Sequence, residues 1–480
     1  MFQKSNRTLF IIIAVILVSR FISMILVPYG DTTEARYGEM ARIMSETGDW
    51  ITPFYDYGVP FWGKPPLSFW SQAIFFNIFG IHEFSARFPS WLASLGIIVI
   101  LYKLTAIVYR PSIALISVLI FSSSFIVYLM SGAVLTDPYL ALGTTLSLAA
   151  FTIILQGNTS YWRYLFFIGI SLGMLAKGPV ALILIGGPIG IWLLMSPRRW
   201  SSLSKLPWLS GTLLVAIIVL PWYIAAEMKT PGFLEYFILG EHYYRFVDPG
   251  WAGDLYGTAH KQTHGTIWLL WILAAFPWSI FAIYLLIKNL ISSERYQSSI
   301  AVLKNETLSL LVIWAIFPML FFTMAGNILI TYTLPAIPPL SILLALKLAA
   351  LKKPYHEGTQ QIKLLITALF VPMLVLTMTM YVVNHPSSYP SEKELIHKYK
   401  TVSNNNTALV FITEASFSAR FYSRSRIEIL DPQNLKYFIN KNKDKTLYYV
   451  ATDNFYTKFT NHTKTKLIYE SYDYVLFTIL

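Results

Sequence analysis

Cysteine is absent from this chain of 480 residues. That absence excludes disulfide bonds, thiolate metal sites and a cysteine nucleophile. Charged residues are also scarce, at 13% of the chain, which is about half the share of a soluble domain. Hydrophobic residues make up 55%, and long apolar runs recur along most of the sequence. The composition therefore predicts a polytopic membrane protein.

Motifs of nucleotide-dependent enzymes are missing as well. The sequence contains no P-loop, no glycine-rich dinucleotide fingerprint and no Asp-x-Asp motif. A reaction driven by ATP or a nucleotide sugar is therefore disfavoured, and an enzyme of this kind would take its donor from the membrane. The net charge of +12 does not indicate nucleic acid, because the basic residues stand between apolar runs, where membrane topology explains them.

A membrane-spanning helix needs about 20 largely apolar residues. Lys177-Gly178-Pro179 interrupts one apolar region, which is therefore either two short helices or one broken helix. No small-residue cleavage site follows the first run, so we expect an uncleaved first helix. About eleven transmembrane helices are predicted in all, at 8–28, 88–108, 112–130, 136–156, 162–176, 179–195, 207–226, 266–288, 307–325, 331–350 and 362–383.

The distribution of Lys and Arg predicts the orientation of these spans. With the N-terminus in the cytoplasm, the short outer loops 131–135 and 326–330 carry no basic residue. An odd number of spans then places loops 29–87 and 227–265 and the C-terminal tail together on the outer face, the periplasm of a bacterial inner membrane. The basic residues assigned to the inner side are Arg110, Arg163, Arg198, Arg199, Lys205, Lys288, Arg295, Lys304, Lys352 and Lys353.

The composition changes at the end of the last apolar run. Residues 384–480 are richer in Lys, Asn, Thr and Tyr, and they contain short alternating runs such as 407–412 and 447–450. Alternation of this kind is typical of β-strands. We therefore expect an all-α membrane bundle over residues 1–383, followed by a small α/β domain over residues 384–480.

Three acids stand at predicted helix starts near the outer face. Asp31 and Glu34 follow the first span, and Asp137 begins the fourth. Acids at the ends of membrane helices are candidates for acid–base chemistry. Alternatively, each serves only as a cap or first-turn acid of its helix. The run 34–44 is predicted to be an amphipathic helix along the membrane surface.

Two lysines are flanked by residues that stiffen a turn. Lys64 stands in Gly-Lys-Pro-Pro, and Lys177 stands in Lys-Gly-Pro. A cation held in this way at headgroup depth suits a phosphate group. The alternative is that each lysine only extends to the membrane interface, which does not explain the flanking Gly and Pro.

Loop 227–265 carries a further polar cluster. Glu241 and Arg245 are four residues apart, so they suit an ordinary helical ion pair. Together with His242, His260 and His264, Glu241 is alternatively a candidate for binding a divalent metal. The spacing of these residues matches no known zinc signature.

The order and spacing of several short motifs over residues 8–350 resemble one known family. It is the family of polyprenyl-phosphate-sugar-dependent glycosyltransferases, which includes the bacterial lipid A aminoarabinose transferase and the protein O-mannosyltransferase-like enzymes. The motifs are Thr33-Glu34-Ala35-Arg36-Tyr37, Gly48-Asp49-Trp50, Gly63-Lys64-Pro65, Ala133-Val134-Leu135-Thr136-Asp137-Pro138, Ala176-Lys177-Gly178, Glu241-His242, Arg245-Phe246, His264 and Thr331-Tyr332-Thr333-Leu334-Pro335.

The resemblance implies the C-type glycosyltransferase fold and an undecaprenyl-phosphate-linked sugar as donor. It implies lipid A or another envelope glycolipid as acceptor. The catalytic acids map to Asp31 or Glu34 and to Asp137, and the phosphate-binding lysine maps to Lys64. Lys177 and Arg245 are assigned to the donor phosphate and His264 to a divalent metal, the one cofactor predicted. Substrate binding is assigned to Arg36, Tyr37, Glu241, His242 and Tyr332.

The sequence also departs from this family. Thr33 stands where the aminoarabinose transferases carry Asp, and Gly63 stands where a Glu often precedes the phosphate lysine. Two alternative functions stay open at this point, a protein O-glycosyltransferase and a transporter or flippase of lipid-linked sugars. No inverted repeat supports the transporter.

Overall fold

The computed structural model describes residues 2–157, 161–257, 260–291, 304–350, 357–442, 444–460 and 463–480. Three residues assigned above to inner loops, Arg295, Lys352 and Lys353, lie outside these ranges. The helices before the tail are α1 (Phe2–Leu26), α2 (Thr33–Thr47), α3 (Leu67–Phe79), α4 (Glu83–Val108), α5 (Pro111–Ser123), α6 (Phe125–Met130), α7 (Asp137–Leu155), α8 (Trp162–Lys177), α9 (Val180–Leu194), α10 (Trp208–Lys229), α11 (Phe233–Glu235), α12 (Arg245–Val247), α13 (Thr266–Ala274), α14 (Trp278–Ile291), α15 (Glu306–Phe322), α16 (Ile337–Ala350) and α17 (Glu357–Asn384).

Six of the described helical segments are long and apolar enough to cross a membrane. A bent pair, α13 and α14, adds a seventh if the two helices count as one span. All seven coincide with predicted spans, so the multi-pass membrane architecture is confirmed. The other four predicted spans contain α5, α8, α9 and α15, which have only 13, 16, 15 and 17 residues. The predicted count of eleven is therefore not reached by helix length.

Helix α7 lies at the centre of the bundle and packs against α4 and α8. Small residues allow α7 and α8 to approach closely, as is usual between membrane helices. A Cβ atom at Gly143 would lie 2.6 Å from the carbonyl oxygen of Gly169, so only glycine fits at this crossing. Ser147 donates a hydrogen bond across the same interface to the Phe166 carbonyl oxygen at 2.8 Å. The contact brings the start of α7 beside the end of α8.

The segment between α1 and α4 folds into α2, α3 and a short antiparallel hairpin of β1 (Phe54–Asp56) and β2 (Val59–Pro60). Helix α2 is present where the sequence predicted one. Its place along the membrane surface stays a prediction, and its residues 35 and 37–44 are buried in the protein. They pack against α3 and against the C-terminal domain, which together cover faces that the sequence pattern assigned to lipid and solvent.

The tail forms a small α/β domain, as predicted. Its five-stranded sheet has the order β4-β3-β5-β7-β6, with β4, β3 and β5 parallel and the other pairs antiparallel. Two apolar clusters cover the two faces of this sheet. The elements are α18 (Lys393–Val402), β3 (Thr407–Ile412), α19 (Phe417–Ser423), β4 (Glu428–Leu430), α20 (Leu435–Lys441), β5 (Thr446–Thr452), α21 (Asp453–Thr460), β6 (Thr465–Glu470) and β7 (Tyr474–Ile479).

Candidate active site

A cavity of about 580 Å³ opens where α7 begins and α8 ends. Loops 29–87 and 227–265 and the C-terminal domain all contribute to its wall, so three segments predicted to share one face do meet here. Nine of the twelve predicted site residues line this cavity: Arg36, Tyr37, Lys64, Asp137, Lys177, Glu241, His242, Arg245 and Tyr332. The other three are Asp31, Glu34 and His264, which are not part of the lining.

The antiparallel packing of α7 and α8 creates the first ion pair of the site. Lys177, the last residue of α8, donates a 2.6 Å hydrogen bond to Oδ1 of Asp137 in the first turn of α7. The Lys177 ammonium also lies 4.5 Å from the ring centroid of Tyr332. Gly178 ends α8 at a φ of +78°, and a Cβ atom there would meet the ring of Phe237 at 2.5 Å. The glycine after Lys177 is therefore required by the turn.

A second charged cluster joins the two long loops. Lys64 donates to Glu241 Oε2 at 2.6 Å, and Arg245 donates to the two oxygens of Glu241 at 2.9 and 3.0 Å. The predicted ion pair between Glu241 and Arg245 is thus present, and Lys64 joins it as a second cation. Burial alone would raise the pKa of Glu241, but Lys64 and Arg245 hold it below its usual value. Two cations share one carboxylate here, and the described cavity lining as a whole carries four cations, Arg36, Lys64, Lys177 and Arg245, against the three carboxylates of Asp137, Glu241 and Asp254.

His242 connects the two charged groups. It lies in the π-helix Tyr236–Tyr244, and its ring nitrogens lie 2.8 Å from the Phe237 carbonyl oxygen and 3.0 Å from that of Lys177. Burial lowers the pKa of His242. Because both ring nitrogens face backbone oxygens, His242 ties the π-helix to the end of α8 and thereby holds Glu241 near Lys177.

Arg36 and Tyr37 enter the cavity from α2. Arg36 donates to the backbone oxygen of Tyr256, and its guanidinium carbon lies 5.5 Å from the Tyr37 ring centroid. Tyr37 packs edge-on against Phe69 with ring centroids 5.4 Å apart. Packing therefore fixes both side chains that the sequence assigned to substrate binding.

The structure places two of the predicted catalytic acids in contacts between segments. Glu34 accepts hydrogen bonds from Arg87 at 2.8 and 2.7 Å and from the Val134 backbone at 3.2 Å. Asp31 accepts hydrogen bonds from the backbone N–H, at 3.0 Å, and the hydroxyl of Ser418 in α19. Burial raises the pKa of Asp31, and the bonds from Ser418 oppose that rise. Neither acid faces the cavity, so Asp137 is the one predicted catalytic acid on its wall.

His264 is exposed and is not part of the cavity lining, whereas Glu241 is. Within the residues that the structure describes, no three His, Asp or Glu side chains converge as a metal site would require. The divalent metal at His264 stays a prediction.

Several cavity residues were not predicted from the sequence. Asp254, Asn327 and Phe417 belong to the lining, as does His260, which the sequence had offered only as a candidate metal ligand. Asp254 offered a usable signal, since loop 227–265 carries five acids, a higher share than in the chain as a whole. Phe417 offered none, because the docking of the tail depends on contacts between segments almost 390 positions apart. Burial lowers the pKa of His260, and Arg245 and Arg36 lower it further.

The fold is that of known membrane glycosyltransferases. The aminoarabinose transferase ArnT from Cupriavidus metallidurans, solved with bound undecaprenyl phosphate, superimposes with a TM-score of 0.78 at 17% identity, over 97% of each chain. The archaeal oligosaccharyltransferase AglB from Archaeoglobus fulgidus superimposes with a TM-score of 0.52 at 14% identity, over 92% of this chain and 69% of AglB. At these identities the likeness establishes the C-type fold.

Sequence comparison confirms the resemblance predicted from the motifs. The family described as dolichyl-phosphate-mannose-protein mannosyltransferase matches residues 6–237. An undecaprenyl phosphate-alpha-4-amino-4-deoxy-L-arabinose arabinosyl transferase of Shewanella sediminis is 31% identical over 346 residues, which are 69% of this chain and 59% of that protein. Its counterpart in Aeromonas salmonicida is 29% identical over 72% of this chain and 60% of its own length. The chain thus spans about 60% of the length of these relatives.

Proposed function

We propose that this protein is an integral membrane glycosyltransferase. It moves a sugar from an undecaprenyl-phosphate donor to lipid A or another envelope glycolipid. The observation that carries the proposal is the sharing of Glu241 by Lys64 and Arg245 on a cavity wall whose described residues include four cations and three carboxylates. A donor phosphate needs such a partner, and the relatives named above use a donor of this type.

The cavity supplies what this transfer requires. Polyprenyl phosphate leaves the sugar as a phosphate, and Lys64, Arg245 and Lys177 stabilise the charge that develops on it. Lys177 is hydrogen-bonded to Oδ1 of Asp137. Oδ2 of Asp137 is therefore the oxygen that takes the proton from an acceptor hydroxyl. A phosphate acceptor is already nucleophilic, and Asp137 would then orient it. Direct displacement at the anomeric carbon inverts its configuration.

The proposal includes an arrangement in the membrane. Residues 1–383 form the catalytic membrane domain with eleven spans, four of which use the shorter helices. Residues 384–480 form a periplasmic domain, and the N-terminus lies in the cytoplasm of a bacterium with an inner membrane. The excess of Lys and Arg in alternate loops supports this orientation.

Transfer by the purified full chain in lipid vesicles tests the proposal. The substrates are synthetic undecaprenyl-phosphate sugars, one neutral and one amino sugar, with lipid A as acceptor and mass spectrometry of lipid A as readout. We expect a single added sugar mass with the wild type. Asp137→Asn should reduce the rate by about 10²-fold or more. The control Asp444→Asn changes an exposed carboxylate of the C-terminal domain and should transfer normally.

A protein acceptor is the second candidate, because the matched family carries protein mannosyltransferase in its description. Envelope proteins replace lipid A in a parallel reaction. A sugar found on protein and not on lipid A would reverse the choice of acceptor. Movement of the donor between leaflets without any product would instead establish the transporter.

A further inference from the structure

Three carboxylates line the cavity, and one of them differs from the other two. Asp137 accepts a 2.6 Å hydrogen bond from Lys177, and Glu241 accepts one of the same length from Lys64. Asp254 has no such bond to a cation, since its Oδ2 lies 3.6 Å from Nη2 of Arg245. That distance is beyond hydrogen-bond range. Asp254 is therefore a cavity carboxylate that its neighbours leave incompletely satisfied.

The side chain of Asp254 is held in a fixed position. Its Oδ1 accepts a 3.1 Å hydrogen bond from the backbone N–H of Tyr256, and only 5% of the side chain is exposed. Its Oδ2 is fully buried and accepts no hydrogen bond within the part of the chain that the structure describes. Buried polar atoms are normally bonded, so an unbonded one in a residue that lines a cavity marks a place where a small movement of the side chain would let a ligand supply the missing bond.

Two further oxygen atoms on the same wall share this property. Asn327 Oδ1 and Thr331 Oγ1 are buried without a hydrogen-bond partner among the described residues. The orientation of the Asn327 amide is set by its nitrogen, which donates to the backbone oxygens of Arg245 at 2.5 Å and Asp248 at 3.2 Å. The amide oxygen is therefore the atom left without a partner. Asp254 and Asn327 both lie against Arg245, one at its side chain and one at its backbone.

The chemistry of these atoms selects a ligand. Two acceptors and a hydroxyl call for a group that donates several hydrogen bonds. A phosphate does not provide such donors at neutral pH, whereas the hydroxyl and amino groups of a sugar do. The unpartnered oxygens therefore suit the sugar rather than the phosphate, and those of Asp254 and Asn327 belong to side chains that lie beside Arg245, one of the cations that suit the phosphate.

We infer that Asp254 is a sugar-binding residue that determines specificity, and that its Oδ2 accepts a hydrogen bond from the sugar carried by the donor. Asn327 and Thr331 complete the same subsite. This inference rests on the proposed function, because it requires a lipid-linked sugar in the cavity. A hydroxyl and an ammonium group of the sugar both donate this hydrogen bond. Binding of a sugar with an ammonium group would weaken more when the carboxylate is neutralised.

Binding of two lipids by the purified full chain separates the sugar from the phosphate. The probes are undecaprenyl phosphate and the same lipid carrying a neutral or an amino sugar. Asp254→Asn should weaken binding of the sugar-bearing lipids about tenfold or more, and of the amino sugar most. It should leave binding of undecaprenyl phosphate within about twofold. Asp248→Asn, an exposed acid of the same loop outside the cavity lining, should leave both affinities unchanged.

Thr331→Val provides a second and nearly isosteric test. It removes a buried hydroxyl without changing charge, and it should also weaken only the sugar-bearing lipids. Equal weakening of both kinds of lipid by Asp254→Asn would show that Asp254 merely positions Arg245 and would overturn the inference. Unchanged binding of every lipid in both variants would overturn it too. A wild type that binds neither kind of lipid would instead refute the proposed function.

Discussion

At the scale of the residue, Lys64 shows why a stiff turn surrounds a cavity cation. A Cβ atom at Gly63 would lie 2.7 Å from the ring of Phe61, so packing requires glycine there. The Lys64 ammonium donates to the Gly63 carbonyl oxygen at 2.5 Å as well as to Glu241. Its side chain is only 17% exposed. The lysine side chain thus lies along the cavity wall, whereas a lysine that only extended to the membrane interface would be exposed.

Replacing Lys64 should weaken binding of the donor phosphate. A hydrogen bond to a charged group contributes about 1.5–3 kcal/mol, so Lys64→Ala should raise the Kd for undecaprenyl phosphate about 10- to 100-fold. Isothermal titration of the detergent-purified chain measures this change. Lys229→Ala is the matched control, because Lys229 also pairs with an acid but is 42% exposed and outside the cavity lining. An unaltered Kd for Lys64→Ala would mean that this lysine only reaches for the membrane interface.

Single residues also show which parts of the site could be predicted. Lys64, Lys177 and Asp137 were found because the Gly and Pro beside them have a local cause, a turn at a helix end. Asp31 and Glu34 carry the same kind of local signal, yet their partners are Ser418 and Arg87. Those partners lie 387 and 53 positions away, so no local pattern contains them. The sequence therefore predicted these acids as catalytic candidates, whereas in the structure they join distant segments of the chain.

At the scale of the element, helix α19 joins the C-terminal domain to the cavity. Ser418 bonds to Asp31, and Arg420, two residues further along the helix, bonds to Asp56 in the β1–β2 hairpin. The hydroxyl of Tyr422 donates to Glu83 at 2.8 Å. These bonds place Phe417, at the start of α19, in the cavity wall. The tail thus helps to shape the site, although the sequence predicted its fold without its position.

A buried acid beside this junction should make stability depend on pH. Glu392 is 1% exposed, accepts a 2.7 Å bond from Ser471, and donates its N–H to the Ser418 hydroxyl. Burial raises the pKa of Glu392 from its ordinary value of 4.5 to about 8. A raised pKa in the folded state favours the protonated form. The stabilisation is therefore complete below pH 4.5 and is lost as the pH rises through about 8.

Calorimetric melting of the full chain between pH 5 and pH 9 measures this loss. Glu392→Gln keeps the neutral shape at every pH, so its Tm should fall less than that of the wild type across this interval. Glu428→Gln, which changes an exposed acid of the edge strand β4, should follow the wild type. If Glu392→Gln and the wild type lost Tm in parallel, Glu392 would not be the titrating group.

At the scale of the whole molecule, eleven spans were predicted from apolar length. The described helices reach spanning length at seven of them and are shorter at the other four. Hydropathy alone identifies these seven, whether the helix is largely exposed at the surface of the bundle or, like α7, is buried inside it. Helix α5, by contrast, ends at Ser123, where the backbone breaks before α6 continues the segment. Helix α8 ends at Lys177 to form the site. Some helices therefore end early because of their place in the site, and hydropathy does not predict such an end.

The proposed orientation yields a prediction that the cysteine-free sequence makes easy to test. With no cysteine in the chain, a single introduced thiol is the sole target of a membrane-impermeant maleimide. Asn405→Cys lies on the exposed surface of the C-terminal domain, and Ser201→Cys lies on an exposed turn within Pro197–Lys205 beside three basic residues. The excess of positive charge near Ser201 predicts that it lies in the cytoplasm.

We expect Asn405→Cys to be labelled from the periplasm after the outer membrane is permeabilised, and Ser201→Cys to react only after lysis. The reverse pattern would put the cavity on the cytoplasmic face, where a periplasmic acceptor cannot reach Asp137. Equal labelling of both thiols in intact cells would contradict a single orientation.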